Sequence, residues 1–449
     1  MHSFFAHTGK RTSASLVYQG KVIACIFLFL ICAALPLQAE DETEQVPSPF
    51  SYSYRLIDEN EHIDSAHSLL NPSNILQRPD TRVEAGIIGN ITYKKFDGAF
   101  ESEFRLGYHY ITGKSPLPFS DESVITQINQ LYYQKKLENY SFLIGRKKVR
   151  WGVGYCYSPT DLISQLRNPE DPEDRLSLIK GTDIFMLSRI NDNGQIDLVY
   201  VPETDWSMNN NFIQKSRLGM RWYRFIDPFD LSLVGIVAGE HHWSTGFNTS
   251  VTFGKALELH AEYLYTSPNN KRYPIAGINP EEFVYPYFTT HDEKIHDIVL
   301  GGQYTFDNNW NLTLEYIYRS AGYSDDEFNA YARHIDYLNS NFRNNVNPVL
   351  ANAGLQESAY NFSLPLRKHY LFSRLYNSNF WKSFSLDMFS SVSIVDGSGF
   401  LVVMPKFEGG KDFEIYLRLK KFWGNNKTEF GLVPDDLSAL VGLSLFWGQ

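Results

Sequence analysis

The sequence predicts an all-β protein, a transmembrane up-and-down antiparallel β-barrel of about 18 strands (16–20) with short periplasmic turns and long extracellular loops. Three observations predict it. Apolar and polar residues alternate with period two over many runs of about ten residues, whereas strands of soluble proteins usually stop near about 5–6. The apolar face of these runs often ends in Tyr or Trp, as the aromatic girdles of a membrane barrel require, and 28 Tyr and 32 Phe supply them. Compact Gly/Asn/Asp/Pro turns alternate with long loops, an ordering that a soluble sandwich has no reason to keep.

Residues 1–39 read as an export signal. Lys10, Arg11 and Lys21 precede an apolar run from Val22 to Leu35, and Ala39 stands before Glu40 at the expected cleavage site. The run is about fourteen residues, short of the ~20 that a spanning helix needs. Cys32 follows Ile31, where lipid attachment wants a small residue, so lipidation is not expected. The signal holds three basic and no acidic side chains, which leaves the mature chain more negative than the −10 of the whole. That balance excludes nucleic-acid binding by bulk charge. Cys156 is the only mature cysteine, so no structural intrachain disulfide can form. After residue 39 no apolar run approaches the length of a spanning helix, and a membrane form must then be a closed barrel.

Residues 40–49 are a short N-terminal segment, and the barrel is expected over 50–449. Ser51 to Asp58 is the first candidate strand. Seventeen runs follow, at about 82–94, 98–112, 123–136, 139–151, 182–190, 194–202, 214–225, 230–240, 245–254, 256–267, 294–306, 309–320, 367–377, 383–395, 399–407, 412–422 and 437–447. In the clearest, Phe100, Phe104, Leu106, Tyr108 and Tyr110 oppose Glu101, Glu103, Arg105 and His109, while Leu312, Leu314 and Tyr316 oppose Thr313 and Glu315. The 82–94 run ends in a short turn and so descends to the periplasm; an earlier strand must climb. Eighteen strands with both termini periplasmic satisfy the even-number rule of bacterial barrels. The longer connections fall at 113–122, 152–181, 203–213, 268–293, 321–366 and 423–436. Within 321–366, Phe328, Tyr331, Ile335, Leu338 and Phe342 share one helical face, which would cap the pore as a lid or pack within the loop crown.

The most unusual stretch is 145–183. Arg146, Lys147, Lys148 and Arg150 crowd a strand end, Gly152 and Gly154 loosen the chain, and a Pro-rich run with Asp161, Glu170, Asp171, Glu173 and Asp174 follows. Folded into the lumen, the 152–181 loop would narrow and polarise a pore; as an ordinary solvated outer loop it would merely pair its own charges. The constriction candidates are Arg146, Arg150, Asp161, Arg167, Asp171, Arg175, Lys180 and Asp183. The lumen-lining candidates are Glu103, Arg105, Arg217, Arg221, Glu258, Glu262, Glu315, Arg319, Asp387, Arg418 and Lys420, with mixed signs that do not predict strong ion selectivity.

This stretch resembles a family. Arg150-Trp151-Gly152-x-Gly154, Ser158-Pro159-Thr160-Asp161, Pro169-x-Asp171-Pro172-x-x-Arg175 and Lys180-Gly181-x-Asp183 are similar to the segment after an early strand in porin-like outer-membrane barrels of the alginate-export type. The motif covers under a tenth of the chain. The resemblance implies a passive channel for small hydrophilic solutes, anionic or sugar-like, in the outer membrane of a Gram-negative bacterium. One departure is the C-terminus, where Gly448-Gln449 follows Phe446-Trp447 instead of a terminal aromatic.

The rival reading is a plugged barrel serving in binding, adhesion or assembly. For catalysis, His241-His242 and the Glu258/His260/Glu262 group are the best material. Adjacent strand residues point to opposite faces, and no zinc spacing or nucleophile elbow is present, so neither an enzyme nor a metal site is expected. No cofactor is called for. The expected partners are outer-membrane lipid and lipopolysaccharide, the barrel-assembly machinery and small solutes, with oligomeric state open.

Overall fold

The computed structural model describes residues 48–65, 68–113, 118–165, 167–203, 216–239, 242–267, 271–275, 287–291 and 293–448. The predicted export signal and its cleavage site lie outside these residues. The strands are β1 (Phe50–Ser65), β2 (Thr81–Lys95), β3 (Gly98–Gly113), β4 (Phe119–Leu137), β5 (Tyr140–Lys147), β6 (Thr182–Asn191), β7 (Gly194–Val201), β8 (Arg217–Ile226) and β9 (Phe229–Ala238). They continue as β10 (His242–Phe253), β11 (Leu257–Ser267), β12 (Ile295–Thr305), β13 (Trp310–Arg319), β14 (His369–Trp381), β15 (Phe384–Ser393), β16 (Gly399–Gly409), β17 (Phe413–Trp423) and β18 (Asp435–Gly448). Each pairs antiparallel with the next in the chain, and β18 pairs back onto β1, so one 18-stranded sheet closes without an edge.

The expected strand number is met, with three differences of detail. First, β1 continues past Asp58 to Ser65. Asp58-Glu59-Asn60-Glu61-His62 is polar on both faces, so the alternation that marks a membrane strand vanishes although the backbone stays paired to β2 and β18. Second, the 139–151 run leaves the sheet after Lys147, where Gly145 takes a positive φ of 122° against the β4 backbone. Third, short and long connections do not alternate strictly. Every periplasmic link is a tight turn, but on the other rim β9 passes to β10 within 239–241 and β15 to β16 within 394–398.

The two faces of the wall are chemically distinct. Leu314 and Leu417 are 45% and 36% exposed on the outer face, while Thr313 and Tyr416 beside them are 2% and 3% exposed and point inward. Leu314→Arg is expected to cost about 2–4 kcal/mol in urea-unfolding experiments in bilayers, because it sets a charge against hydrocarbon. The same change at Asn90, exposed on the inner face, should stay within about 1 kcal/mol. An equal response at both positions would invert the assignment. Epitope tags at Asn193 or Asn308, in the tight turns, should stay hidden on intact cells, and a tag at Asn345 should be labelled; labelling at Asn308 would overturn the topology.

The inner face is less polar than its sequence pattern suggests. Val299, Ile317, Phe372, Phe389, Phe400, Val402 and Phe422 form an inward apolar cluster with Cys156. Leu143, Ile184, Val199, Val201, Val234 and Ile236 form another with Val149, Trp151 and Ile163. The chain between β5 and β6 supplies residues to both clusters, and burial of this surface holds it inside the barrel.

Above the strands, α1 (Asp325–Arg343) and α2 (Pro348–Tyr360) form a hairpin. Ser324 and Glu327 make a capping box at the start of α1, and Phe328, Tyr331, Ile335 and Leu338 are buried. That face packs with Leu355 and Leu366 of its own connection and with Leu70, Tyr273, Tyr287, Phe288 and Leu432 from the other loops of this rim. The helical stripe therefore serves a crown of loops. No expectation covered α2, whose near-uniform distribution of apolar residues has no single helical face.

Candidate functional site

The segment after β5 is held inside the barrel through its own backbone. Trp151 and Gly152 N–H groups donate to Asp161 Oδ1 at 2.6 and 2.9 Å. Val153 and Gly154 donate to Glu262 Oε1 at 2.5 Å each. Tyr155 and Cys156 donate to Glu315 at 2.5 and 2.8 Å. The consecutive amides 151–156 thus bind three carboxylates two by two, a geometry in which each carboxylate oxygen accepts charge-assisted bonds. Glu262 also accepts from the Thr160 N–H (3.0 Å) and from the Ser158 and Thr160 hydroxyls. Glu315 also meets His260 Nε2 at 3.0 Å, whose Nδ1 lies 3.2 Å from Glu258.

The two glycines of the motif follow from this closeness. A Cβ at Gly152 would run into Ser158 and Glu262, and one at Gly154 into the Tyr157 carbonyl. Asn248 on β10 completes the seat by donating to the Trp151 carbonyl at 2.9 Å and to Thr160 Oγ1 at 2.8 Å.

Beyond the clamp the chain runs on along the inner wall to β14 and β17. Glu173 pairs with Arg374 (2.5 Å), which is also bidentate to Asp387. Glu170 pairs with Lys420 (2.8 Å), and Arg175 lies over the Tyr416 ring with Asp171 3.4 Å away. Returning, Lys148 meets Glu103 at 2.8 Å, and Asn129 donates to the Ser177 carbonyl. Polar space remains on both sides of this segment. A cavity of about 1020 Å³ toward the periplasmic turns is lined by Arg55, Glu103, Lys148, Arg150, Arg167, Glu173, Asp174 and Lys411 among others. A second, of about 370 Å³, lies toward the crown between Arg78, Arg82, Glu61, Glu170, Lys420 and Asp435.

The sequence-derived candidates divide accordingly. Arg150 (3.1 Å from Asp161), Arg167 (3.1 Å to the Tyr155 carbonyl), Asp171 and Arg175 belong to the segment between β5 and β6. Lys180 is half-buried just before β6 and forms no ion pair among the described residues. Arg146 and Asp183 are corrected. Their bidentate pair (2.9 and 2.8 Å) shares the outer face with Leu131, Ile144 and Phe185, because strand parity turns them away from the lumen.

All the wall candidates sit on the inward face, but several do not line open space. Glu262 and Glu315, 1% and 0% exposed, are anchors beneath the loop. Arg105 is buried against Glu84, Arg221 against Asp197 (2.9 Å), and Arg319 beside Tyr157 with a bond to the Pro365 carbonyl. Arg217 reaches the Leu162 carbonyl at 3.4 Å, and Glu258 stays with His260. Arg418 is 3.4 Å from Glu61. Sequence reasoning missed Glu59, which accepts from the Tyr416 hydroxyl at 2.6 Å, and Arg55, Arg78, Arg82 and Arg374. Glu59 lay beyond Asp58, in the part of β1 that did not read as strand, and Arg78 in a loop; Arg55, Arg82 and Arg374 sit on runs read as strand, where period-two alternation alone did not single them out.

The crown carries a titratable group outside the spanning strands. Glu429 is 0% exposed and accepts from the Leu366 N–H (2.7 Å) and the Tyr370 hydroxyl (2.8 Å); burial pushes its carboxyl up to about 7 from an ordinary 4.5. A raised carboxyl means that the folded state keeps its proton to higher pH than the unfolded chain. Its contribution is therefore fully present at low pH and lost as pH rises through the window from 4.5 to about 7. Hydrogen exchange at Leu366 should quicken from pH 5 to 8 beyond the intrinsic rate change, and Glu429→Gln should abolish that excess. An excess that survives in the variant would remove Glu429 as its source.

No protein-family model matches the sequence, and no curated protein is similar to it in sequence. Solved structures share its fold. The crystal structure of Acinetobacter baumannii OccAB1 superposes with a TM-score of 0.54 at 10% identity, covering 91% of this chain and 100% of that one. Pseudomonas aeruginosa OccK11 (OpdR) gives 0.51 at 9% identity, covering 89% and 96%. Pseudomonas aeruginosa OccK5 (OpdH) gives 0.51 at 10% identity, covering 89% and 98%.

Proposed function

We propose that this chain is an outer-membrane channel of a Gram-negative bacterium for passive passage of small hydrophilic solutes, narrowed by the segment between β5 and β6. One observation carries the reading: the segment is clamped inside a closed barrel, and polar cavities of about 1020 and 370 Å³ remain on its two sides. The likeness to Occ structures supports the barrel fold. The constriction would be formed by Glu170, Asp171, Glu173 and Arg175 against Lys420, Arg374 and Tyr416. Nearly every charge there has an opposite partner within 4 Å, which favours weak ion selectivity over exclusion of one sign. Residues 1–39 act as the export signal in this reading, and the assembly machinery and lipopolysaccharide are its expected partners. An affinity with alginate-export barrels rests on the 145–183 motif alone.

A plugged binding barrel is the second reading, favoured by the dense apolar packing of the segment on both walls. Planar-bilayer recording of the purified protein separates them. Step-like, ohmic conductance is expected; insertion without conductance would leave the plugged barrel.

A further inference from the structure

The inward residues Glu258, His260 and Glu262 of β11 serve two different anchors of the loop. Glu262 meets uncharged donors only, three amides and two hydroxyls. Glu315 is 0% exposed and receives just the Tyr155 and Cys156 amides from the loop, too few donors for a buried charge. His260 completes the set. Its Nε2 lies 3.0 Å from Glu315, and no other cationic side chain comes within 4 Å of that carboxylate among the described residues. Strand register builds this contact. His260, Gly301 and Glu315 oppose one another across β11, β12 and β13, and a Cβ at Gly301 would run into both the imidazole and the Glu315 side chain. Glycine in the middle strand thus lets the two meet over it. The other ring nitrogen, Nδ1, lies 3.2 Å from Glu258, whose side chain is 33% exposed. An ionised carboxylate only accepts hydrogen bonds, so a ring with one at each nitrogen donates from both. Such a ring is an imidazolium.

We infer that His260 is a positioning residue of the constriction: its positive charge balances Glu315, and through Glu315 it fixes Tyr155 and, beyond it, Arg374. The chain of contacts is short. Glu315 holds the Tyr155 amide, the Tyr155 ring stacks on Phe372 at 5.8 Å, and the Arg374 guanidinium lies 4.8 Å from the centre of the same ring. Arg374 then binds Glu173 at 2.5 Å. Phe372 opposes Glu315 in register, so His260, Gly301, Glu315 and Phe372 form one row of the wall. Without the imidazolium, Glu315 is a buried charge with no counter-charge, an arrangement relieved by admitting water. That water competes for the Tyr155 and Cys156 amides. The amides of Val153 and Gly154 stay on Glu262, so only the part of the loop that carries Tyr155 comes loose. The consequence for permeation rests on the channel reading; the tether itself does not.

The test uses the chain without residues 1–39 in lipid nanodiscs, where Cys156 is the one thiol. It is 1% exposed and its amide is held by Glu315, so its reaction with a maleimide reports release of the tether. Labelling should be about tenfold faster in His260→Gln than in the parent, and His260→Lys, which restores a positive charge, should bring it back to within about twofold. In planar bilayers His260→Gln should add open-channel noise that His260→Lys lacks. Equal protection of Cys156 in His260→Gln and the parent would overturn the inference. Equally fast labelling of both variants would overturn it too, by making ring shape and not charge the determinant. Should His260→Gln not insert, the parent decides: with 15N-labelled histidine at neutral pH, one ring should carry a proton on both nitrogens in full, and a spectrum without such a ring would overturn the assignment. A parent that labels as expected and does not conduct would remove the channel reading and leave the tether standing.

Discussion

Replacing Pro169–Leu176 by a short Gly-Ser linker should raise single-channel conductance several-fold and turn the pore toward anions. The segment reaches from the clamp to β14 and β17 and carries Glu170, Asp171, Glu173, Asp174 and Arg175. Its ties to Lys420 and Arg374, at 2.8 and 2.5 Å, are the contacts that divide the lumen between the two cavities. Removing it joins them and takes out four carboxylates with one guanidinium. Lys420 loses its partner, while Lys148 keeps Glu103 and Arg374 keeps Asp387. In a confined, poorly screened space the net gain of positive charge acts on passing ions more strongly than it would on an open surface. The clamp at 151–160 is untouched, so the barrel should insert normally. Reversal potentials under a salt gradient read the selectivity. A variant that inserts and conducts like its parent, with the same reversal potential, would place the segment outside the ion path.

Glu262→Ala should be among the most destabilising single changes in the barrel. It strips the acceptor from the Val153, Gly154 and Thr160 amides and from two hydroxyls, at a side chain 1% exposed. A buried donor left unsatisfied costs about 1–3 kcal/mol, so the loss should reach several kcal/mol, reduced by whatever water enters. Glu262→Gln keeps one acceptor oxygen but sets an NH2 group among donors, and an intermediate loss is expected. Urea midpoints in bilayers measure the stability, and open-channel noise measures release of the loop. The two readouts should move together. If Glu262→Ala were silent in both, the amide clamp would not be what positions the segment.

Much of the wall was legible in the sequence because membrane strands obey a local rule. Leu314 faces out and Thr313 in by parity alone, and seventeen of the strand runs needed no more than that. The rule failed where chemistry overrode it. β1 beyond Asp58 is polar on both faces, and its inner carboxylates Glu59 and Glu61 are recognisable only from Tyr416, Arg82 and Arg418, which barrel closure brings beside them. Arg146 and Asp183 flank the loop and so look like pore residues, yet they share the parity of Ile144 and Phe185 and face outward.

By itself the sequence determined that the chain forms a closed, long-stranded barrel with tight turns at one end. Period-two alternation, girdle aromatics and turn residues are properties of neighbours along the chain, and hydrocarbon permits no other solution for an exported protein without spanning helices. Only the tertiary structure decided what fills the lumen. Glu262 and Glu315 look like pore-lining carboxylates from their strand pattern, and they become anchors because closure carries them to the amides of 153–156, more than a hundred residues earlier. Which acceptor meets which donor at that distance depends on the register around the whole ring, and local patterning does not encode it.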